Sequence, residues 1–177
     1  MRLLEVPKEL EEILKVLEAV GARAYLIGAR ALLMYGAITR TTKDIDLMIT
    51  VEDLKTLRDT LTKELRKRGF MVQWRSWGLL VKSKRGLEVD LNTPMLLLDE
   101  EFQGRARRVY RNLYLPSLED LIVTKLMSLE RKDYSDIKEV FKFADKIDFD
   151  YLCRRVQQAN LEREFNRIAK RIGVPTC

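Results

Sequence analysis

Apolar residues recur at two different spacings along this chain, and the change of period marks its organisation. Between Pro7 and Gly21 the positions Leu10, Ile13, Leu14, Leu17 and Val20 lie three or four apart, the spacing of one helix face. Pro7 suits a first helical turn and Gly21 a stop. Residues 24–27 form a short apolar run read as a strand, followed by a turn at Gly28 and a compact helix over 29–35. A loop containing Arg40 then leads to a second strand opening at Asp44-Ile45-Asp46. Residues 51–68 carry the stripe Leu54, Leu57, Leu61 and Leu65, which predicts a helix ended by Gly69.

Residues 70–75, 79–82 and 87–91 read as three short strands, with Lys84-Arg85-Gly86 turning between the last two. An apolar segment at 94–98 and the acids Asp99, Glu100 and Glu101 precede a strand pair, 107–110 with 113–115. Beyond Pro116 the period is helical. Helices are predicted over 117–130 with Ser117 as N-cap, over 133–146, and as one or two pieces within 150–172. The pattern is that of a mixed α/β half, residues 1–116, followed by a helical region, residues 117–177.

Composition narrows the chemistry. A hydrophobic content of 46% supports a packed core, and no run approaches the roughly 18 uninterrupted apolar residues of a membrane span. The first residues mix acids into their apolar pattern and lack a small-residue cleavage site, so a cytoplasmic protein without membrane association is expected. The chain has no histidine, and its two cysteines, Cys153 and Cys177, show no ligand spacing. Zinc sites built on Cys and His, and any histidine general base, are thereby excluded. A metal would have to be a hard cation held by carboxylates. The formal charge of +6 suits a polyanionic partner such as a nucleotide or nucleic acid.

Within this frame a few residues stand out. Asp44 and Asp46 lie two apart on a strand and so share one face, with Ile45 and Leu47 turned to the core. Two carboxylates so placed repel each other unless a cation sits between them. Asp90 is a third acid inside an apolar strand, with Glu88 on the same face. Three carboxylates from two adjacent strands would suit a pair of divalent ions. Gly28 reads either as a strand-to-helix turn needing an unusual backbone or as the start of a phosphate-binding helix N-terminus. Lys125 lies in the stripe of Leu118, Leu121, Ile122 and Leu129, where it either snorkels to water or points its ammonium into a cleft. Asp133 and Asp136 share a helical stripe with Ile137 and Val140, and capping explains one of them but not both.

Taken together, Gly28-Ala29, then Arg40-x-Thr42-x-Asp44-Ile-Asp46-Leu, then Val89-Asp90-Leu resembles the minimal core of the DNA polymerase beta-type nucleotidyltransferase superfamily. The downstream stretch PSLEDLIVTKLMSLERKDYSDI is similar to the helical segment of the AbiEii-type toxin branch and related nucleotidyltransferases. The resemblance implies an α/β (α+β) minimal nucleotidyltransferase fold with a mixed central sheet and a C-terminal helical bundle. It further implies two Mg²⁺ or Mn²⁺ ions on Asp44, Asp46 and Asp90, and an NTP whose phosphates meet Gly28, Ala29, Arg30 and Arg40. Lys125 and Asp136 correspond to further essential positions. The activity implied is transfer of NMP from the NTP to a hydroxyl acceptor, with tRNA or another RNA as acceptor and an antitoxin protein as partner in the toxin-like branch. One position departs from the pattern: Ala29 stands where Ser or Gly is usual, which removes a hydroxyl from the phosphate turn. The alternative reading is a degenerate member binding nucleic acid or a partner protein. Its surface would be Arg105, Arg107, Arg108 and a basic C-terminal helical region that includes Arg154, Arg155, Arg163 and Arg167.

Overall fold

The computed structural model describes residues 6–51, 53, 55–94, 98–128 and 130–177. The fold is a mixed α/β one: among the described residues seven strands make a single sheet, and eight α-helices accompany it. The chain forms two compact units: residues 1–27, 43–95 and 106–115, and residues 28–42, 96–105 and 116–177.

The first unit holds the whole sheet: β1 (Ala24–Ile27), β2 (Ile45–Ile49), β3 (Met71–Arg75), β4 (Gly78–Lys82), β5 (Glu88–Asn92), β6 (Arg107–Tyr110) and β7 (Leu113–Leu115). Their order across it is β3-β4-β5-β2-β1-β7-β6. β2 runs antiparallel to β1 but parallel to β5, and β1 runs parallel to β7. Alternation along β2 and β5 buries Ile45, Leu47, Val89 and Leu91 and leaves Asp46 and Asp90 on the opposite face. Helix α1 (Lys8–Ala19) buries Leu10, Ile13, Leu14 and Leu17, and Gly21, with φ of +72°, ends it as predicted.

The helix predicted over 51–68 starts later. Asp53 accepts a hydrogen bond from the Thr56 N–H at 2.6 Å, which fixes the first turn, and Val51 lies outside it. The helix opens as a π turn, Thr56–Leu61, and continues as α3, Thr62–Lys67. Leu57, Leu61 and Leu65 of the predicted stripe are buried, while Leu54 lies outside the described residues.

The second unit contains α2 (Gly28–Met34), α4 (Glu100–Arg105), α5 (Leu118–Ser128), α6 (Arg131–Val140), α7 (Phe149–Gln158) and α8 (Glu162–Ile172). A 3₁₀ segment, Phe141–Lys146, follows α6, so the helix predicted over 133–146 is two pieces. α4 was not predicted. Asp99 caps it by accepting from the Phe102 N–H at 2.9 Å, and Phe102 anchors it in the core. Ser117 caps α5 as expected: its Oγ accepts from the Asp120 N–H at 3.1 Å and donates to the Asp120 carboxylate at 2.7 Å.

α5 is buried all round from Leu118 to Leu126 rather than along one stripe. Polar groups on it must therefore be paired, and they are. Arg155, expected on a basic surface, is fully buried instead. Its Nε donates to Asp120 at 3.0 Å and one terminal nitrogen donates to Asp99 at 2.5 Å, while Tyr151 donates to Asp120 at 2.8 Å. Cys153 and Cys177, read as separate thiols, form a disulfide that ties the C-terminal segment to α7. No helix among the described residues is long and apolar enough to cross a membrane.

Candidate active site

In the first unit the parallel register of β2 and β5 sets Asp46 directly beside Asp90. Asp44 lies two residues before Asp46, just ahead of β2. The same row continues to Leu80 on β4 and Gln73 on β3, so Asp90 has no cation opposite it on β4. Glu88, two residues from Asp90, does have one: Lys82 reaches it at 2.5 Å. The ion pair with Lys82 thus sets Glu88 apart from Asp90, the acid that the family motif singles out.

The electrostatics record the crowding. Partial burial pushes the Asp90 pKa up, and the charges of Asp46 and Asp44 push it further, to about 6. Carboxylates in this relation are a hard-oxygen donor set whose repulsion a divalent cation would relieve. Among the described residues no three His, Cys, Asp or Glu side chains are yet gathered at metal-enclosing separation.

In the second unit α2 opens at Gly28, whose φ of +69° suits glycine. Ala29 is buried, and α2 has only seven residues, so its N-terminus presents a few backbone N–H groups rather than a strong dipole. Arg30 donates to the Thr42 carbonyl at 3.3 Å, while its buried Nε has no hydrogen-bond acceptor among the described residues.

Further along the same unit Lys125, Asp136 and Arg40 come together as one network. Lys125 does not snorkel. It is 7% exposed, and its ammonium lies 2.5 Å from Asp133 and 2.9 Å from Asp136. Asp136 also accepts two hydrogen bonds from Arg40, from Nε and from a terminal nitrogen, both at 2.7 Å. Burial would push Asp133 and Asp136 up, but hydrogen bonds from Lys125 to both, from Arg40 to Asp136 and from Ser128 to Asp133 hold them below the usual carboxylate range. Asp133 also closes a capping box at the start of α6, where the Glu130 N–H donates to it at 3.1 Å. The sequence left open which of Asp133 and Asp136 is the cap. The structure makes Asp133 both the cap and an ion-pair partner of Lys125, and the sequence signal was its three-residue offset from Asp136 on a buried helix face.

The family comparison is decisive on class. Residues 1–171 match the family model described as "Nucleotidyltransferase of unknown function (DUF6036)". The chain belongs to this nucleotidyltransferase family. Curated protein sequences provide no match. Among solved structures, ANT(2'')-Ia in complex with adenylyl-2''-tobramycin matches over 89% of this chain and 97% of its own, with a TM-score of 0.57 and 15% identity. A solution structure of ANT(2'')-Ia, described as an antibiotic-resistance factor, gives 0.55 at 18% identity over 89% and 95%. JHP933 from Helicobacter pylori gives 0.53 at 15% identity over 96% of this chain and 78% of its own. At these identities the likeness is one of fold, and it agrees with the fold that the acid-pair motif implied.

Proposed function

We propose that this family member transfers NMP from an NTP to a hydroxyl acceptor, with Asp44, Asp46 and Asp90 as its central acids. The observation that carries this reading is the side-by-side register of Asp46 and Asp90, with Asp44 two residues away. The three carboxylates would hold Mg²⁺ or Mn²⁺, which when bound neutralises the triphosphate and acts as a Lewis acid on its oxygens. Gly28 and Ala29 would offer backbone N–H groups, and Arg30 its guanidinium, to phosphate oxygens.

Lys125 serves differently from a free phosphate ligand. With Asp133 and Asp136 on one side of the count and Lys125 and Arg40 on the other, the network is neutral. Lys125 and Asp133 therefore position Asp136, and Asp136 positions Arg40, the one member of the four with an exposed side chain. In the reaction the acceptor oxygen attacks the α-phosphorus, an O–P bond forms, and the bond to pyrophosphate breaks. With no histidine in the chain, the acceptor proton passes to a carboxylate.

The AbiEii-like helical segment favours an RNA acceptor over a small molecule, and it brings with it the expectation of a protein antitoxin. Incubation with α-labelled NTPs, Mg²⁺ and either bulk tRNA or an aminoglycoside tests both parts. Label on RNA, absent with Asp46→Ala, supports the reading. Label on the aminoglycoside corrects the acceptor, and equal labelling by wild type and Asp46→Ala refutes the chemistry.

A further inference from the structure

One strongly basic stretch of this chain also carries an exposed aromatic side chain. Residues 55–75 hold seven lysines and arginines against two acids, Asp59 and Glu64, a net +5 out of +6 for the whole chain. In the first unit that stretch folds into the π turn, α3 and edge strand β3. Arg58, Lys63, Arg66 and Lys67 are exposed there and, with Asp59 and Thr62, line a shallow depression of about 630 Å³. Glu64 is already engaged by Lys67 at 2.7 Å and Arg68 at 3.0 Å. Lys63 has no ion partner among the described residues.

An aromatic ledge adjoins these cations. Trp74 on β3 is 37% exposed, and the Arg58 guanidinium lies over its ring, 3.9 Å from the centroid. Met71, on the same strand, is 59% exposed. Trp77, the second of the two tryptophans, lies in the turn between β3 and β4. Charge on an edge strand commonly serves only to block edge-to-edge pairing. That explanation covers Arg75 but not an exposed Trp and Met, which invite association. The π turn, with Thr62 Oγ1 on the Leu57 carbonyl at 2.9 Å, is a further departure of the kind found at functional sites.

The geometry points to a binding surface for single-stranded RNA. Phosphates take the ammonium and guanidinium groups of the helix, while unstacked bases lie against Trp74 and the Arg58 plane. A duplex keeps its bases stacked and leaves the ledge unused, and an acidic peptide has no planar group to place there. RNA is chosen over DNA because an RNA end carries two acceptor hydroxyls, a choice that rests on the transferase reading; the binding itself does not. Trp74 shares a face with Leu79 and Leu91, whereas Gln73 is in register with Leu80 and Asp90. A strand passing over the β3 edge therefore meets both the ledge and the face that carries the acids.

Tryptophan fluorescence tests this without nucleotide or metal. A 12-nucleotide RNA should quench the emission, with log K falling against log salt at about −0.7 per phosphate contact. Four contacts give a slope of about −2.8, or about 50-fold weaker binding from 50 to 200 mM salt. Lys63→Ala/Lys67→Ala, both exposed and safe for folding, should weaken binding more than about tenfold at 100 mM salt and reduce the slope by about 1.4. Trp74→Leu should weaken binding with the slope unchanged. Unaltered binding in the lysine double variant overturns the proposal, as does equal affinity for duplex RNA or for an acidic peptide of equal charge. Quenching by RNA with no NMP transfer would leave this surface standing and remove only the transferase reading.

Discussion

Replacing Lys125 by Met removes one cation from between two buried carboxylates and keeps the side chain's length. Side-chain exposures of 8% for Lys125, 3% for Asp133 and 2% for Asp136 leave little water to take over its role. Breaking a buried pair by removing one partner costs about 3–5 kcal/mol. Here the lower end applies, because Asp136 keeps Arg40 and Asp133 keeps Ser128 and the Glu130 N–H. About 3 kcal/mol in a chain of this size lowers Tm by about 6–12 °C. The pH dependence identifies the cause. In the wild type both carboxyl pKa values are held below the unfolded value, so their stabilisation is present above roughly pH 4 and is lost as pH falls through the depressed folded values. In the variant burial acts with less opposition, the folded values rise, and protonation restores stability as pH falls. Thermal melts from pH 7.5 to 5 should therefore show the deficit shrinking, and Lys125→Met/Asp133→Asn should recover about half of it at pH 7.5. A deficit below about 1 kcal/mol, or one that does not change with pH, would refute the assignment of Lys125 to a buried ion-paired role.

Three further outcomes follow from other parts of the molecule. Because the Asp90 pKa is raised to about 6, the folded state holds its proton more tightly than the unfolded chain. In chelator the contribution of Asp90 to stability should then decline by about 1 kcal/mol, after allowance for solvent screening, between pH 4 and 7. Asp90→Asn, or millimolar Mg²⁺, should flatten that decline in chemical-denaturation curves. Reduction of Cys153–Cys177, which closes a separation of 24 residues, should lower stability by about 3 kcal/mol as read from denaturant midpoints with and without a phosphine reductant. Gly28→Ala places a side chain at φ of +69° and should cost about 1–2 kcal/mol in the same assay, whereas Gly104→Ala, inside α4 with open space about it, should be neutral or mildly stabilising.

Much of the fold was legible because its signals are local. The period-two pattern at Asp44–Leu47 fixes which side chains face the core whatever the strand's neighbours are, and so the acid face could be read directly. The pairing of Asp46 with Asp90 could only be inferred through the family motif, since parallel register is set by elements far apart in sequence. α4 was missed because its apolar signal is a single residue, Phe102. Arg155 was misplaced because a buried arginine and a surface one look alike until Asp120 and Asp99, 35 and 56 residues away, are seen to hold it. The same holds for Cys153 and Cys177, which carry no spacing signature and meet only through the turn between α7 and α8. Lys125 and Asp136 stood out as odd residues in apolar stripes, and the structure buries both. Their partners, Asp133 and Arg40, required the three-dimensional arrangement.

On the proposed reading Asp44, Asp46 and Asp90 act as one metal-dependent nucleotide site. Isothermal titration of each NTP into the protein, with Mn²⁺ and with chelator, addresses it without knowledge of the acceptor. Binding that requires Mn²⁺ and disappears in both Asp46→Asn and Asp90→Asn, with unchanged thermal stability in Mn²⁺-free buffer for the former, is the predicted result. NTP binding of equal strength with chelator, or retained by Asp46→Asn/Asp90→Asn, would contradict it.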